Sequence, residues 1–136
     1  MNRDNILEYL LKHLSQFSCH NNFFAEVIAL IYGSGYEKRF FALLTTRLRQ
    51  LSVMGAQAVK LEEFERINEQ LYSMHFQGRG FNIRFMYSFL PNGEPVFLVP
   101  FYERSGKRKT DYTPYIPVAT ARLEEMKEEF INEYGK

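Results

Sequence analysis

The chain has no tryptophan, a single cysteine and no long apolar run, and each shortage closes a class of explanation. One thiol, Cys19, cannot staple the chain to itself, which fits a reducing cytoplasm. His20 stands beside it, but no second cysteine and no ligand spacing accompany the pair, so Cys19 reads as structural or incidental and no metal or other cofactor is expected. No apolar stretch approaches the ~20 residues that span a bilayer, and the N-terminus is amphipathic and polar, unlike a secretory signal. The expectation is a cytoplasmic protein with no membrane association. There is no Walker loop, HExxH, GxSxG or dinucleotide fingerprint, no internal repeat and no low-complexity tract. Glu62, Glu63 and Glu65 cluster without a paired acid/base geometry.

What the chain does have is aromatic weight and an uneven distribution of charge. Its 136 residues fit one domain, 1–136, and include 13 Phe and 9 Tyr. The net charge of +1 says little by itself. Between Phe76 and Tyr112, however, stand Arg79, Arg84, Arg104, Lys107, Arg108 and Lys109 against Glu94, Glu103 and Asp111. After Thr113 the balance reverses, with Glu124, Glu125, Glu128, Glu129 and Glu133 on the last helical segment. A local basic patch can bind phosphate on a nearly neutral protein.

The first half has helical period. Leu7, Leu10, Leu11 and Leu14 share one face of a helix starting near Asp4, an extra N-terminal element within 1–20. Phe24, Val27, Ile28 and Ile31 repeat the spacing, with Gly33 as terminator. Ser34 and Glu37 form a capping-box pattern before a helix carrying Phe41, Leu44, Leu48 and Leu51, which Gly55 ends. Residues 56–70 read as a short helical turn or a loop.

The second half changes to period two. Strands are expected at 71–76, 81–90 and 95–102. Phe81, Ile83, Phe85, Tyr87 and Phe89 form an apolar face, and Arg84, Met86 and Ser88 form the opposite one. Gly78-Arg79-Gly80 is a hairpin turn, and Asn92-Gly93 predicts a type I′ turn. Pro100 predicts a bulge or a free edge in the third strand. Pro117 opens a helix whose stripe is Ala119, Leu123, Met126 and Phe130. The fold class is therefore α+β: N-terminal helices packed on one face of a small antiparallel sheet, and a C-terminal helix.

The sheet's other face carries the chemistry. Parity puts Ser73 and His75 on the same side as Arg84 if their strands pair, and the basic loop leaves the end of the third strand. Cleavage of RNA by its own 2′-hydroxyl needs a base, a cation for the crowded phosphorane and an acid for the leaving oxygen. An arginine suits the middle role because its planar fork grips two phosphate oxygens. Tyr112 can stack on a base or give up a proton. Each residue also has a plainer reading: Arg84 as a surface ion pair, His75 as a half-exposed strand residue, the loop as a solvated turn.

From about Phe23 to Met126 the blocks RLRQLSVMG, LYSMHF, NIRFMYSF, VFLVPFYERSGKRKT and IPVATARLEEM resemble the RelE/ParE superfamily of toxins from bacterial type II toxin–antitoxin pairs, and within it the phage-derived HigB-like branch. The resemblance implies a RelE-like fold and a metal-independent, ribosome-dependent mRNA endoribonuclease that inhibits translation. It also implies a cognate antitoxin, in this branch often of helix-turn-helix type. By position, Arg84 corresponds to the strand arginine that stabilises the transition state. Arg104, Lys107 and Lys109 correspond to the RNA-gripping basic loop, and Tyr112 to a tyrosine that follows it. On that basis the catalytic set is Arg84, His75, Lys107 and Tyr112, and the RNA-binding set is Arg79, Arg104, Arg108 and Lys109. The chain departs from the family where His75 replaces an arginine, where Glu103-Arg104 replaces paired lysines, and where an N-terminal strand is not evident. Two other readings stand beside this one: a ParE-like inhibitor of DNA gyrase, and a catalytically inert phage-derived interaction module.

Overall fold

The computed structural model describes residues 1–103 and 109–135. Helix α1 (Arg3–His13) opens on a reciprocal Asn2/Asn5 capping box. A two-residue strand β1 (Ser18–Cys19) leads into helices α2 (Phe23–Ile31) and α3 (Glu37–Met54). A 3-10 turn (Gly55–Lys60) precedes strands β2 (Phe64–Arg66), β3 (Tyr72–Gly78), β4 (Phe81–Phe89) and β5 (Pro95–Tyr102), and helix α4 (Ile116–Tyr134) closes the chain. The fold is α+β, with four α-helices and a five-stranded mixed sheet of order β1-β5-β4-β3-β2.

The three long strands form where the alternation places them, but the sheet is not wholly antiparallel. β1 pairs parallel with β5, Ser18 opposite Val96 and Cys19 opposite Phe97. β2 adds an antiparallel edge, with Phe64, Glu65 and Arg66 opposite Met74, Ser73 and Tyr72. Both edge strands escape sequence reading because two or three residues cannot display a period. A two-residue strand thus stands between α1 and α2.

Phe81, Ile83, Phe85 and Tyr87 of β4 pack with Met74, Phe76 and Phe97 against α1, α2 and α3 in the larger core. The expected α3 stripe of Phe41, Leu44, Leu48 and Leu51 is buried, whereas the α1 and α2 stripes keep two of their four expected residues each and shift at the others. In α1 the buried side chains are Ile6 and Leu10, followed by Leu14, while Leu7 and Leu11 are exposed. In α2 they are Phe23, Val27 and Ile31. α1 packs mainly on α2 and α3, so its seam is narrow and flanking leucines stay outside. Ser34 accepts from the Tyr36 N–H at 3.2 Å and donates to Glu37 at 3.1 Å, so the two side chains bond each other ahead of α3 and do not form a reciprocal box.

The second sheet face is not open along its whole width. Ala119, Leu123 and Met126 of α4 cover Met86, Val96, Leu98, Val99 and Phe101 in a second core. The register slips between Met86 and Tyr87: Met86 faces Val99 and Tyr87 faces Phe97, so Leu98 is the extra residue of a bulge. Leu98 and Val99 can then both turn to α4. β1 reaches no further along β5 than the His20 N–H to Phe97 carbonyl bond, so Pro100 lies beyond that pairing, at the edge where its missing N–H costs least.

The β4–β5 connection also differs from the expected type I′ turn. Gly93 N–H bonds the Leu90 carbonyl at 2.8 Å, and only Gly93 has positive φ (87°). Pro91 sets a negative φ at the first turn position, Asn92 follows it, and Gly93 alone takes the left-handed conformation, as in a type I turn closed by a glycine bulge.

Candidate functional site

Cross-strand register assembles one polar cluster on the sheet face left uncovered beside α4. Glu65 stands opposite Ser73, and His75 opposite Arg84. Glu103 continues β5 through its N–H to the Asn82 carbonyl at 2.8 Å. Glu65, Ser73, His75, Asn82, Arg84 and Glu103 therefore share a face. Tyr112 returns over them from the segment before α4, edge-on to Phe101 with ring centroids 5.9 Å apart.

Arg84 is the hub. Its Nε donates to Glu103 Oε1 at 2.7 Å, and its Nη1 lies 3.1 Å from Tyr112 Oη, 3.2 Å from Ser73 Oγ and 4.0 Å from Glu65 Oε2. Its guanidinium carbon sits 5.8 Å from the centre of the Tyr112 ring. The Arg84 side chain is 12% exposed and that of Glu103 14%. The parity reading of Arg84 thus holds, and so does its plainer alternative: the cation points away from α1–α3 and is ion-paired. Thr110 also donates to Glu103 Oε1.

These contacts set the protonation states. Burial pushes the Glu103 carboxyl up, but hydrogen bonds from Arg84 and Thr110 and the Arg84 charge outweigh it and hold the group below the usual carboxylate range. The Tyr112 hydroxyl is pushed up to about 12, first by burial and then by the Glu65 carboxylate that accepts its proton at 2.7 Å. Tyr112 therefore keeps its proton at neutral pH. Burial lowers His75, with the Arg84 charge adding to the effect and the Asn82 hydrogen bond opposing it. The ring is neutral at pH 7, and an Nε2–H directed at the Asn82 side-chain oxygen leaves its lone pair on Nδ1. The His75 backbone is fixed from both sides, by its N–H to the Glu63 carbonyl and by Arg47 Nε on its own carbonyl at 2.9 Å.

Of the remaining sequence-selected residues, Lys109 is exposed and lines a cavity of about 280 Å³ with Phe101, Glu103 and Tyr115. Arg79 is exposed in the β3–β4 turn, five residues from Arg84 and so ~16 Å along the strand; its carbonyl accepts from Arg39 at 2.7 Å. It stands outside the cluster. Arg104, Lys107 and Arg108 lie outside the described residues. Asn82 and Thr110 carry no motif signal in the sequence, and Glu65 stands there only as a member of the Glu62, Glu63 and Glu65 cluster. For Glu65 the only available signal is its parity with Ser73, and that requires recognising β2 first.

Cys19 and His20 do not act together. Burial, with Glu94 adding to it, pushes the Cys19 thiol up to about 12, and the buried His20 ring engages Glu125 at 2.6 Å. Among the described residues no group of three or more His, Cys, Asp or Glu is placed to hold a metal ion, and no helix is long and apolar enough to cross a membrane.

Chemically, the cluster offers one cation, a neutral imidazole and a protonated phenol on a common face. It also offers two carboxylates. Counting Arg84 and Lys109 against Glu65, Glu103 and Asp111, which lines the same cavity as Lys109, the described charges sum to −1. Comparison with protein-family models, with curated proteins and with solved structures finds no match for this chain.

Proposed function

We propose that this chain is a RelE-superfamily toxin that cleaves mRNA on the ribosome. The observation that carries the reading is the convergence of Arg84, Ser73, His75 and Tyr112 on one uncovered sheet face, between the two ends of the basic loop. The element order supports it too: an edge strand, a helical pair, an antiparallel meander and a closing helix. In this reading His75 Nδ1 takes the 2′-hydroxyl proton, Arg84 stabilises the phosphorane, and Tyr112 gives its proton to the leaving 5′-oxygen. Because the described charges give no net attraction for phosphate, RNA attraction falls to Arg104, Lys107 and Arg108. Phosphate competes with Glu103 for the Arg84 fork. A neighbouring-gene antitoxin masks the same face, and the protein acts in the cytoplasm.

One observation favours the second reading, an inert interaction module. The Arg84–Glu103 pair is part-buried and well formed, as a structural ion pair would be.

Inducible expression in a bacterial host, with growth followed and mRNA ends mapped, separates the two. The toxin reading expects growth arrest and new mRNA ends within translated regions. Arg84→Lys keeps a charge for Glu103 but loses the fork, and cleavage should fall roughly a hundredfold, the size of losing one oriented transition-state donor. Folded variant protein is verified by circular dichroism. Harmless expression of the wild-type chain leaves the inert module as the better account.

A further inference from the structure

We propose that the groove between α1 and α3 is a docking site for an acidic amphipathic helix of a partner protein. The argument is independent of the sheet-face chemistry, because the groove involves neither Arg84 nor its neighbours.

The groove has an aromatic floor and cationic ends. Tyr9 and His13 of α1 pack on Phe41 of α3, with ring centroids 5.3 and 5.4 Å apart. His13 bridges the two helices, its Nδ1 at 2.7 Å from the Tyr9 carbonyl and its Nε2 at 2.9 Å from Thr45 Oγ1. On one side of this bridge lies a cavity of about 510 Å³ beside Lys38. On the other, Lys12, Leu48, Arg49 and Val53 line a second of about 320 Å³. Val53 is 81% exposed, and Tyr9 44%.

Charge decides what fits. No Asp or Glu lines either cavity; Glu8, one turn before Lys12, lines neither. Among the described residues Arg84 and Arg122 are in ion pairs, whereas Lys12, Lys38 and Arg49 form none. Lys38, Ala42, Thr45 and Arg49 fall at i, i+4, i+7 and i+11, one stripe ~16 Å long. That is three turns of an occupant helix. Carboxylates eleven residues apart would meet Lys38 and Arg49, and apolar side chains between them would sit on Tyr9 and Ala42. An RNA strand fits less well. Phe41 is only 5% exposed, so the floor is an apolar seam with little ring face for base stacking, and the cations stand at its ends instead of along a backbone.

The test uses a synthetic 15-residue helical peptide with Glu at positions 2 and 13 and Leu at positions 6 and 9, titrated into isotope-labelled protein. Amide shifts confined to α1 and α3 are expected. The double variant Lys38→Glu/Arg49→Glu should weaken binding roughly tenfold or more, and a peptide with Lys in place of both Glu should recover it. Both side chains are exposed and unpaired, so the variant should keep the wild-type melting temperature, which checks that it folds. The proposal is overturned if the Glu peptide does not bind, if the charge swap brings no recovery, or if a twelve-nucleotide uridine RNA shifts the same amides at lower concentration than the peptide.

Discussion

Arg84 Nε and Glu103 Oε1 lie 2.7 Å apart on the sheet face beside α4, where their polar neighbours leave the two side chains 12% and 14% exposed. The pair joins the middle of β4 to the residue that follows β5. Removing Glu103 leaves Arg84 with the more distant Glu65 at 4.0 Å as counter-charge, and removing Arg84 leaves Glu103 with the Thr110 hydroxyl, a loss of about 2 kcal/mol for a mostly shielded pair. Glu103→Leu should therefore destabilise. The double replacement Arg84→Met/Glu103→Leu should cost clearly less than the sum of the single ones. Urea denaturation of the four proteins measures the coupling; additive costs would show that the pair does not act as a unit.

The same pair predicts a pH dependence. The Glu103 carboxyl sits below its ordinary value in the folded protein. Its stabilisation is complete above the unfolded carboxyl value, about 4.3, and is lost as pH falls through the lower folded value. The stability difference between wild type and Glu103→Gln should thus be constant at neutral pH and shrink below about pH 4. Denaturation midpoints compared across pH 3 to 7 check this; a difference that grows toward acid would contradict the assignment.

Tyr87 is fully buried, and its hydroxyl is the buried side-chain oxygen left without a partner among the described residues. Its ring stacks on Tyr72, with centroids 5.4 Å apart. Removing an unbonded buried hydroxyl relieves a desolvation cost of about 1 kcal/mol or more and leaves the ring packing in place. Tyr87→Phe is expected to be neutral or more stable than wild type in thermal unfolding. A loss above ~1 kcal/mol would mean that the hydroxyl has a partner.

Arg122 ties α4 to the rest of the molecule. Its two terminal nitrogens reach the two Glu26 carboxylate oxygens at 2.6 and 2.7 Å, and Nη1 also donates to the Leu98 carbonyl at 2.8 Å. Lysine cannot reproduce a fork that serves two elements at once. Arg122→Lys should speed amide exchange across Ala119–Met126 by about tenfold, equivalent to about 1.4 kcal/mol of local stability. Exchange in β3 and β4 should be unchanged, which distinguishes loosening of one helix from global destabilisation.

Much of this architecture is written locally. Alternation in 81–89 settles which residues of β4 face the helices and puts Arg84 on the other side. Gly93 marks the hairpin because it takes a positive φ without strain, and Pro117 marks the start of α4. Such features depend on neighbours a few residues apart, so a single sequence displays them. What the tertiary structure alone decided is which distant residues meet. β1 and β2 exist because β5 and β3 offer edges to pair with, and two or three residues carry no periodic trace of that. α4 covers Met86 and Leu98 because a bulge opposite Met86 turns two successive β5 side chains to the same face. Arg84 faces two carboxylates because register brings Glu103 from nineteen residues downstream, and Glu65 from nineteen upstream, to one patch. The residue types specify the strengths of those contacts; only the folded chain specifies the partners, since charge pairing acts through space and carries no sequence period.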